Sequence, residues 1–293
     1  GEGSTSNTVA GNYIGLSETG ATDLGNTGNG VTIIDGASGN SVFGTAGTAS
    51  VIAGNGGYGV LITDVGTNAN QVYRNYIGLN AGGNAARKND KGGVLVRDNA
   101  SNNQIGLPGQ GNTISGNGGY GVAVGQTLPG YTALYSNTVA ANLIGLNALG
   151  TVALENSLGG VLVGDGANSN AIGGAGSARN VIAGNGGAGV TISGTAVLSN
   201  TVVGNLIGLR RATANGAFTT VAGNKGDGVL ITAGAKYTRV GGSEAEGNTI
   251  AGNGGYGVYL FTSIFFSTTD RQTANVIKNN FIGVSADGSA AIG

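Results

Sequence analysis

Short stretches in which a β-branched residue alternates with a small or polar one return along this chain at a period of roughly thirty residues. Each period opens on an asparagine two residues before a Val or Ile. The series runs Asn7-Thr8-Val9, Asn40-Ser41-Val42, Asn70-Gln71-Val72, Asn103-Gln104-Ile105 and Asn137-Thr138-Val139. It continues with Asn170-Ala171-Ile172, Asn200-Thr201-Val202, the degenerate Thr238-Arg239-Val240 and Asn275-Val276-Ile277. A second stretch centres on Ile14, Ile52, Ile77, Ile114, Ile144, Ile182, Ile207, Ile250 and Ile282. A third pairs Val31 with Ile33, Val60 with Ile62, and so on to Val229 with Ile231 and Val258 with Leu260.

Alternation at period two is the mark of a strand, and nothing between these stretches has the 3.6-residue spacing of a helix. A fixed period of this size means stacked supersecondary units. The pattern therefore predicts an all-β, single-stranded parallel β-helix, a solenoid with three short strands per coil and about nine coils. Neighbouring coils should lie ~4.8 Å apart. Val9, Ile14, Leu16, Val31 and Ile33 should point inward from the first coil. The asparagine before the first strand should adopt a left-handed turn and bond its counterparts above and below as a ladder. The glycines of Gly56-Gly57-Tyr58-Gly59 and its later copies should supply positive φ for a tight corner.

Coils alternate in kind. Odd coils carry Ile-Gly-Leu, as in Ile14-Gly15-Leu16 and Ile144-Gly145-Leu146, and then a long loop before the third strand. Even coils place a loop between the first and second strands and follow it with Ile-Ala-Gly-Asn or Ile-Ser-Gly-Asn. The repeat unit is thus a double coil, in four copies plus a partial fifth, and residues 1–293 read as one β-helix domain. Both ends look cut from a longer array, because solenoids cap their terminal coils.

Composition narrows the partners. Of 293 residues 62 are glycine, yet the glycines keep a constant phase with the β-branched positions, so the chain is not a disordered linker. A net charge of −1 with 9% charged residues gives no nucleic-acid or anionic-membrane footprint. No apolar run approaches the ~20 residues of a membrane helix. Cysteine is absent, which removes disulfides and thiolate chemistry.

Phrases such as Asn142-Leu143-Ile144-Gly145-Leu146, Gly150-Thr151-Val152-Ala153-Leu154-Glu155-Asn156 and Gly160-Val161-Leu162-Val163 resemble right-handed parallel β-helix repeats of the pectin-lyase-like superfamily. They are similar to arrays in large secreted or cell-surface bacterial proteins, over essentially the whole chain. The resemblance implies a right-handed helix, the hand that parallel crossovers generally take. It also implies an extracellular or bacterial cell-surface location. It leaves function open, since such helices serve as lyases, hydrolases, epimerases, adhesins and stalks.

The chemistry needed for catalysis is sparse. Histidine is absent, removing the commonest general base and metal ligand. Glycosidases need two carboxylates on one face, and the outward strand positions carry none; the acids fall in turns or loops. No catalytic residue, cofactor or metal is therefore assigned. Asp35, Asp64 and Asp98 occupy one corner of consecutive coils, with Asp165 in the same phase. They read either as a calcium site or as Asx-turns opening the corner.

Aromatic residues are few, so their placement matters. Tyr58 and Tyr120 share a corner of even coils, and read either as rings stacked over glycine or as a glycan platform. An outer stripe of Leu61, Leu95, Leu162, Leu230 and Tyr259 would be covered by the long odd-coil loops or form an association surface. The repeat is broken by insertions at 126–136 and 261–274, which carry Tyr131, Tyr135, Phe265 and Phe266. Loops on a rigid scaffold are where binding resides, so these four are expected to outweigh Tyr58 and Tyr120. The expected role is a non-catalytic structural or adhesive segment with a polysaccharide partner, self-associating through its open ends or leucine stripe. The alternative is a carbohydrate-active enzyme, either lyase or hydrolase.

Overall fold

Three parallel sheets run the length of the molecule, and each takes one strand from every coil. The computed structural model describes residues 1–293 except 46, 126–133, 262–272, 286–287 and 293, and only the backbone of 134–135. Sheet 1 stacks nine strands from Thr8–Ala10 to Val276–Lys278, and sheet 2 nine from Tyr13–Ile14 to Phe281–Ile282. Sheet 3 stacks eight, from Val31–Ile33 to Val258–Phe261. The chain is a parallel β-helix solenoid. No described helix is long and apolar enough to cross a membrane.

Register sets like upon like. Val9 pairs with Val42, Val42 with Val72, and Ile14 with Ile52. The inward rows merge into one continuous core in which Ile52, Ile77, Ile114, Ile144, Ile182, Ile207 and Ile250 are fully buried. A further inward row follows the third strand, where Ala37, Ala100, Ala167, Val197 and Ala235 join the same core.

Two expectations about the corners are corrected. Leu16 does not belong to the central core. It packs outside sheet 2 with Val51, Ala53, Tyr76 and Ala81, and Leu146 does the same with Val181, Ala183 and Leu206. The cause is the glycine before each leucine: Gly15 and Gly145 sit at φ +88° and +91°, a left-handed step that turns the chain out of the barrel. The odd-coil loops consequently fold over the outer face of sheet 2.

Gly56-Gly57-Tyr58-Gly59 and its copies do not use positive φ. They are glycine for lack of room. A Cβ on Gly59 would lie 2.6 Å from the Cγ2 of Ile77, and one on Gly121 2.6 Å from the Cγ2 of Ile144. The stacked isoleucines fill the space that a side chain would need.

The alternation of coils also has a physical basis. Odd-coil loops close as small hairpins through the antiparallel bridges Leu16–Asp23, Leu79–Ala86 and Leu146–Ala153. Two strands side by side occupy about two coil heights of ~4.8 Å each, so a hairpin on every second coil fills its corner. Successive hairpins touch: the Ala81 N–H donates to the Gly20 carbonyl at 3.3 Å, and the Ala148 N–H to that of Gly83 at 2.8 Å.

Asparagine ladders run along three edges of the barrel rather than one. The expected ladder links Asn7, Asn40, Asn70, Asn103 and Asn137 through amide–amide bonds of 2.8–3.2 Å. A second links Asn75, Asn112, Asn142, Asn180, Asn205, Asn248 and Asn280 before the second strand. A third runs from Asn26 through Asn55, Asn89, Asn117, Asn156, Asn185 and Asn224 to Asn253. Asn70 shows why the residue suits the place. Its Oδ1 accepts the backbone N–H and Nδ2 of Asn40, while its Nδ2 donates to the Ala37 carbonyl and to Asn103. That uses the whole bonding capacity of a buried amide. The left-handed turn belongs to the preceding residue instead, as at Ala69 (φ 55°), Ser136 (φ 57°) and Arg74 (φ 55°).

Candidate functional site

The outer face of sheet 3 in coil 8 carries a chain of aromatic rings. Tyr259 and Phe261 alternate with inward residues on Val258–Phe261, so the pleat turns both outward. Ring centroids lie 4.7 Å apart for Tyr256 and Tyr259, and 5.6 Å for Tyr259 and Phe261. Tyr256 is 63% exposed and Phe261 44%. The insertion carrying Phe265 and Phe266 begins at the next residue; those two, like Tyr131, lie outside the described residues. Of Tyr135 only the backbone is described, as a parallel strand, Leu134–Tyr135, paired with Ala167–Asn168 of the following coil.

Tyr58 and Tyr120 hold the same corner as Tyr256 but are half-buried. Each is in register with a glycine of the next coil, Gly92 and Gly159. A Cβ on Gly92 would come within 3.3 Å of the Tyr58 ring, and one on Gly159 within 2.9 Å of the Tyr120 ring. Burial pushes both phenols above their ordinary pKa, with the Arg97 charge partly opposing this at Tyr58. Among the described residues no strand of sheet 3 lies beyond Val258–Phe261, so Tyr256 has no neighbouring glycine over its ring.

Two members of the acidic row, Asp64 and Asp98, are tied down, while Asp35 and Asp165 are exposed. Asp35, Asp64, Asp98 and Asp165 all have positive φ, between 35° and 81°. The Thr63 hydroxyl lies 3.3 Å from Asp64 Oδ1 and 3.1 Å from Asp98 Oδ2, and the Arg97 Nε 3.0 Å from that same Asp98 oxygen. Asp98 is 1% exposed, so no external sugar reaches it. Among the described residues no group of three potential ligands gathers to hold a metal ion. Glu246, in the loop of coil 8, is held down to a pKa of about 2, first by the Arg239 guanidinium bonded to it at 3.0 and 3.1 Å and then by bonds from Ser243.

A lateral cleft of about 460 Å³ opens at the corner between sheets 1 and 2, lined by Thr45, Thr48, Arg74, Asn75, Tyr76 and Gly111. Sequence periodicity does not reveal it, because a gap between even-coil loops forms it. Arg74 stands at a position that varies between coils, held by Gly11, Ala141, Arg179 and Gly204 elsewhere. Beside it the rings of Phe43 and Tyr73 stack on the outer face of sheet 1, 4.9 Å apart and within 2° of parallel.

This geometry defines a parallel β-helix with an exposed run of aromatic rings on sheet 3 and with Asp64 and Asp98 of the corner row bonded within the fold. No protein-family profile matches the chain, and no curated protein matches it. Among solved structures it is similar to the A-module of the mannuronan C-5 epimerase AlgE6 of Azotobacter vinelandii. That likeness has 15% identity, covers 94% of this chain and 82% of that one, and has a TM-score of 0.37. At this level of superposition no residue role passes from one protein to the other.

Proposed function

We propose that the chain is a non-catalytic structural or adhesive segment of a secreted or cell-surface bacterial protein, and that it holds polysaccharide on its outer face. The reading extends to one elongated domain of double coils, drawn from a longer protein of the pectin-lyase-like superfamily. The observation that carries it is the Tyr256–Tyr259–Phe261 chain, a run of rings on a rigid strand where sugar faces would stack at little entropic cost. Phe265, Phe266, Tyr131 and Tyr135 are further ligand contacts in the proposal. Tyr58 and Tyr120 are secondary contacts, because each ring already covers a glycine.

The test is a glycan-array screen of the purified chain followed by calorimetry on the hits. Tyr259→Ala and Phe266→Ala should each weaken binding about tenfold, which is ~1.4 kcal/mol. Unchanged affinity in both, with loss in Tyr58→Ala, would move the site to the regular corner. Absence of binding by the wild type would leave a mechanical spacer.

A further inference from the structure

Six asparagines of this chain are followed directly by glycine: Asn29, Asn55, Asn117, Asn185, Asn215 and Asn253. That dipeptide is especially open to loss of ammonia, because a glycine nitrogen has no side chain to hinder its approach to the amide carbon. Three of the six lie fully buried in the third ladder. Asn55, Asn117 and Asn185 each accept one amide bond and donate another between coils. The N–H groups of Gly56, Gly118 and Gly186 donate to the preceding coil at 2.8–2.9 Å.

Two more are held in the same way. Asn253 accepts from Asn224 at 2.8 Å, and the Gly254 N–H donates to the Asn224 carbonyl at 2.8 Å. Asn29 holds the Tyr58 N–H on its Oδ1 at 2.8 Å, and Gly30 donates to the Tyr58 carbonyl at 3.0 Å. In all five, reaction requires bonds between coils to open first, so it waits on local unfolding.

Asn215 is placed differently. It lies at the tip of the coil 7 hairpin, between the antiparallel strands Leu209–Arg211 and Phe218–Val221. It is exposed, and among the described residues its side chain has no hydrogen-bond partner. The Gly216 N–H donates to the Thr213 carbonyl of its own turn at 2.9 Å, so opening that turn breaks no contact between coils.

We infer that Asn215 is a site of spontaneous deamidation, and that the fold shields the other five. The Gly216 nitrogen loses its proton and bonds to the Asn215 Cγ, while the Cγ–Nδ2 bond breaks and ammonia leaves. Water then opens the cyclic imide at either carbonyl, giving aspartate or isoaspartate, and nothing is oxidised or reduced. The new carboxylate forms beside Arg211, whose guanidinium holds the neighbouring Ala214 carbonyl at 2.9 Å. At a ladder position the same change would replace a donor by an acceptor facing another oxygen. The burial that builds the ladder therefore also preserves it.

Peptide mass mapping of the folded chain during long incubation at mildly alkaline pH tests the inference, with the chain in urea as reference. In the folded chain Asn215 should exchange NH2 for OH about tenfold or more faster than any of the other five. In urea the six rates should converge, which assigns the difference to the fold. Gly216→Ala puts a methyl group on the residue that supplies the attacking nitrogen, and should slow the reaction at Asn215 severalfold. A buried asparagine of the six converting within about twofold of the Asn215 rate would overturn the inference. So would an intact Asn215 while the urea sample converts, a preference for Asn215 that persists in urea, or an unchanged rate in Gly216→Ala.

Discussion

Ser50 stands one coil below Asn75 and leaves its side-chain oxygen without a donor. The Ser50 hydroxyl donates to the Phe43 carbonyl at 2.6 Å instead, and Asn75 Oδ1 is buried and unbonded. Thr238 interrupts the first ladder in the same way, its buried Oγ1 lacking any partner. At these two places an orphaned polar atom falls where a ladder loses its asparagine, which is the penalty expected when a buried network is only partly satisfied.

Restoring the ladder should stabilise the solenoid. Ser50→Asn and Thr238→Asn each supply the residue that neighbouring coils carry, and each should gain about 1 kcal/mol. Equilibrium denaturation of the single variants measures this. A loss of stability in both would mean that the local backbone, rather than the missing amide, decides the residue there.

How much of this was legible in the sequence depends on what each residue does. Val9, Ile52 and Ile144 announce strands through alternation, and the first ladder is visible because Asn7 and its copies precede those strands. Asn55 and Asn142 are equally regular, but the glycines on either side of Asn55 make it read as a turn residue before it reads as a buried amide. Leu16 was placed inside because alternation counts through Gly15, whereas a left-handed glycine breaks the count. Gly59 and Gly121 looked like turn formers, and only the packed isoleucines reveal that volume excludes their Cβ. Arg74 escapes a repeat-based reading because the position before this ladder asparagine varies, holding Gly11, Ala141, Arg179 and Gly204 in other coils.

The Gly121–Ile144 contact can be broken from either side. Gly121→Ala forces a methyl to within 2.6 Å of the Ile144 Cγ2 and should cost about 1–3 kcal/mol. Ile144→Asn buries an amide in an aliphatic row without a ladder partner and should cost more, about 3 kcal/mol or above. Thermal melts of the two variants decide this. An unchanged transition in Ile144→Asn would remove that residue from the core.

Tyr58 and Tyr120 should titrate later than the exposed tyrosines. Burial raises both above the ordinary value of 10.0, so the folded chain holds their protons longer than the unfolded chain does. Their contribution to stability is complete below that value and lost as pH rises through the folded pKa. Ultraviolet titration should show a late component that Tyr120→Phe diminishes. A single component at the ordinary tyrosine value would place these rings in solvent, free to act as a platform.

The central claim is that this helix holds polysaccharide without altering it, and one experiment bears on it most directly. Uronans and neutral glucans are incubated at length with the chain, and the fraction bound is measured together with proton NMR of polymer length, unsaturated ends and C5 configuration. The account predicts retained polymer whose length, ends and configuration match those of the untreated sample. Shortened chains, unsaturated termini or inverted C5 centres, abolished by substitution of a surface residue, would contradict it.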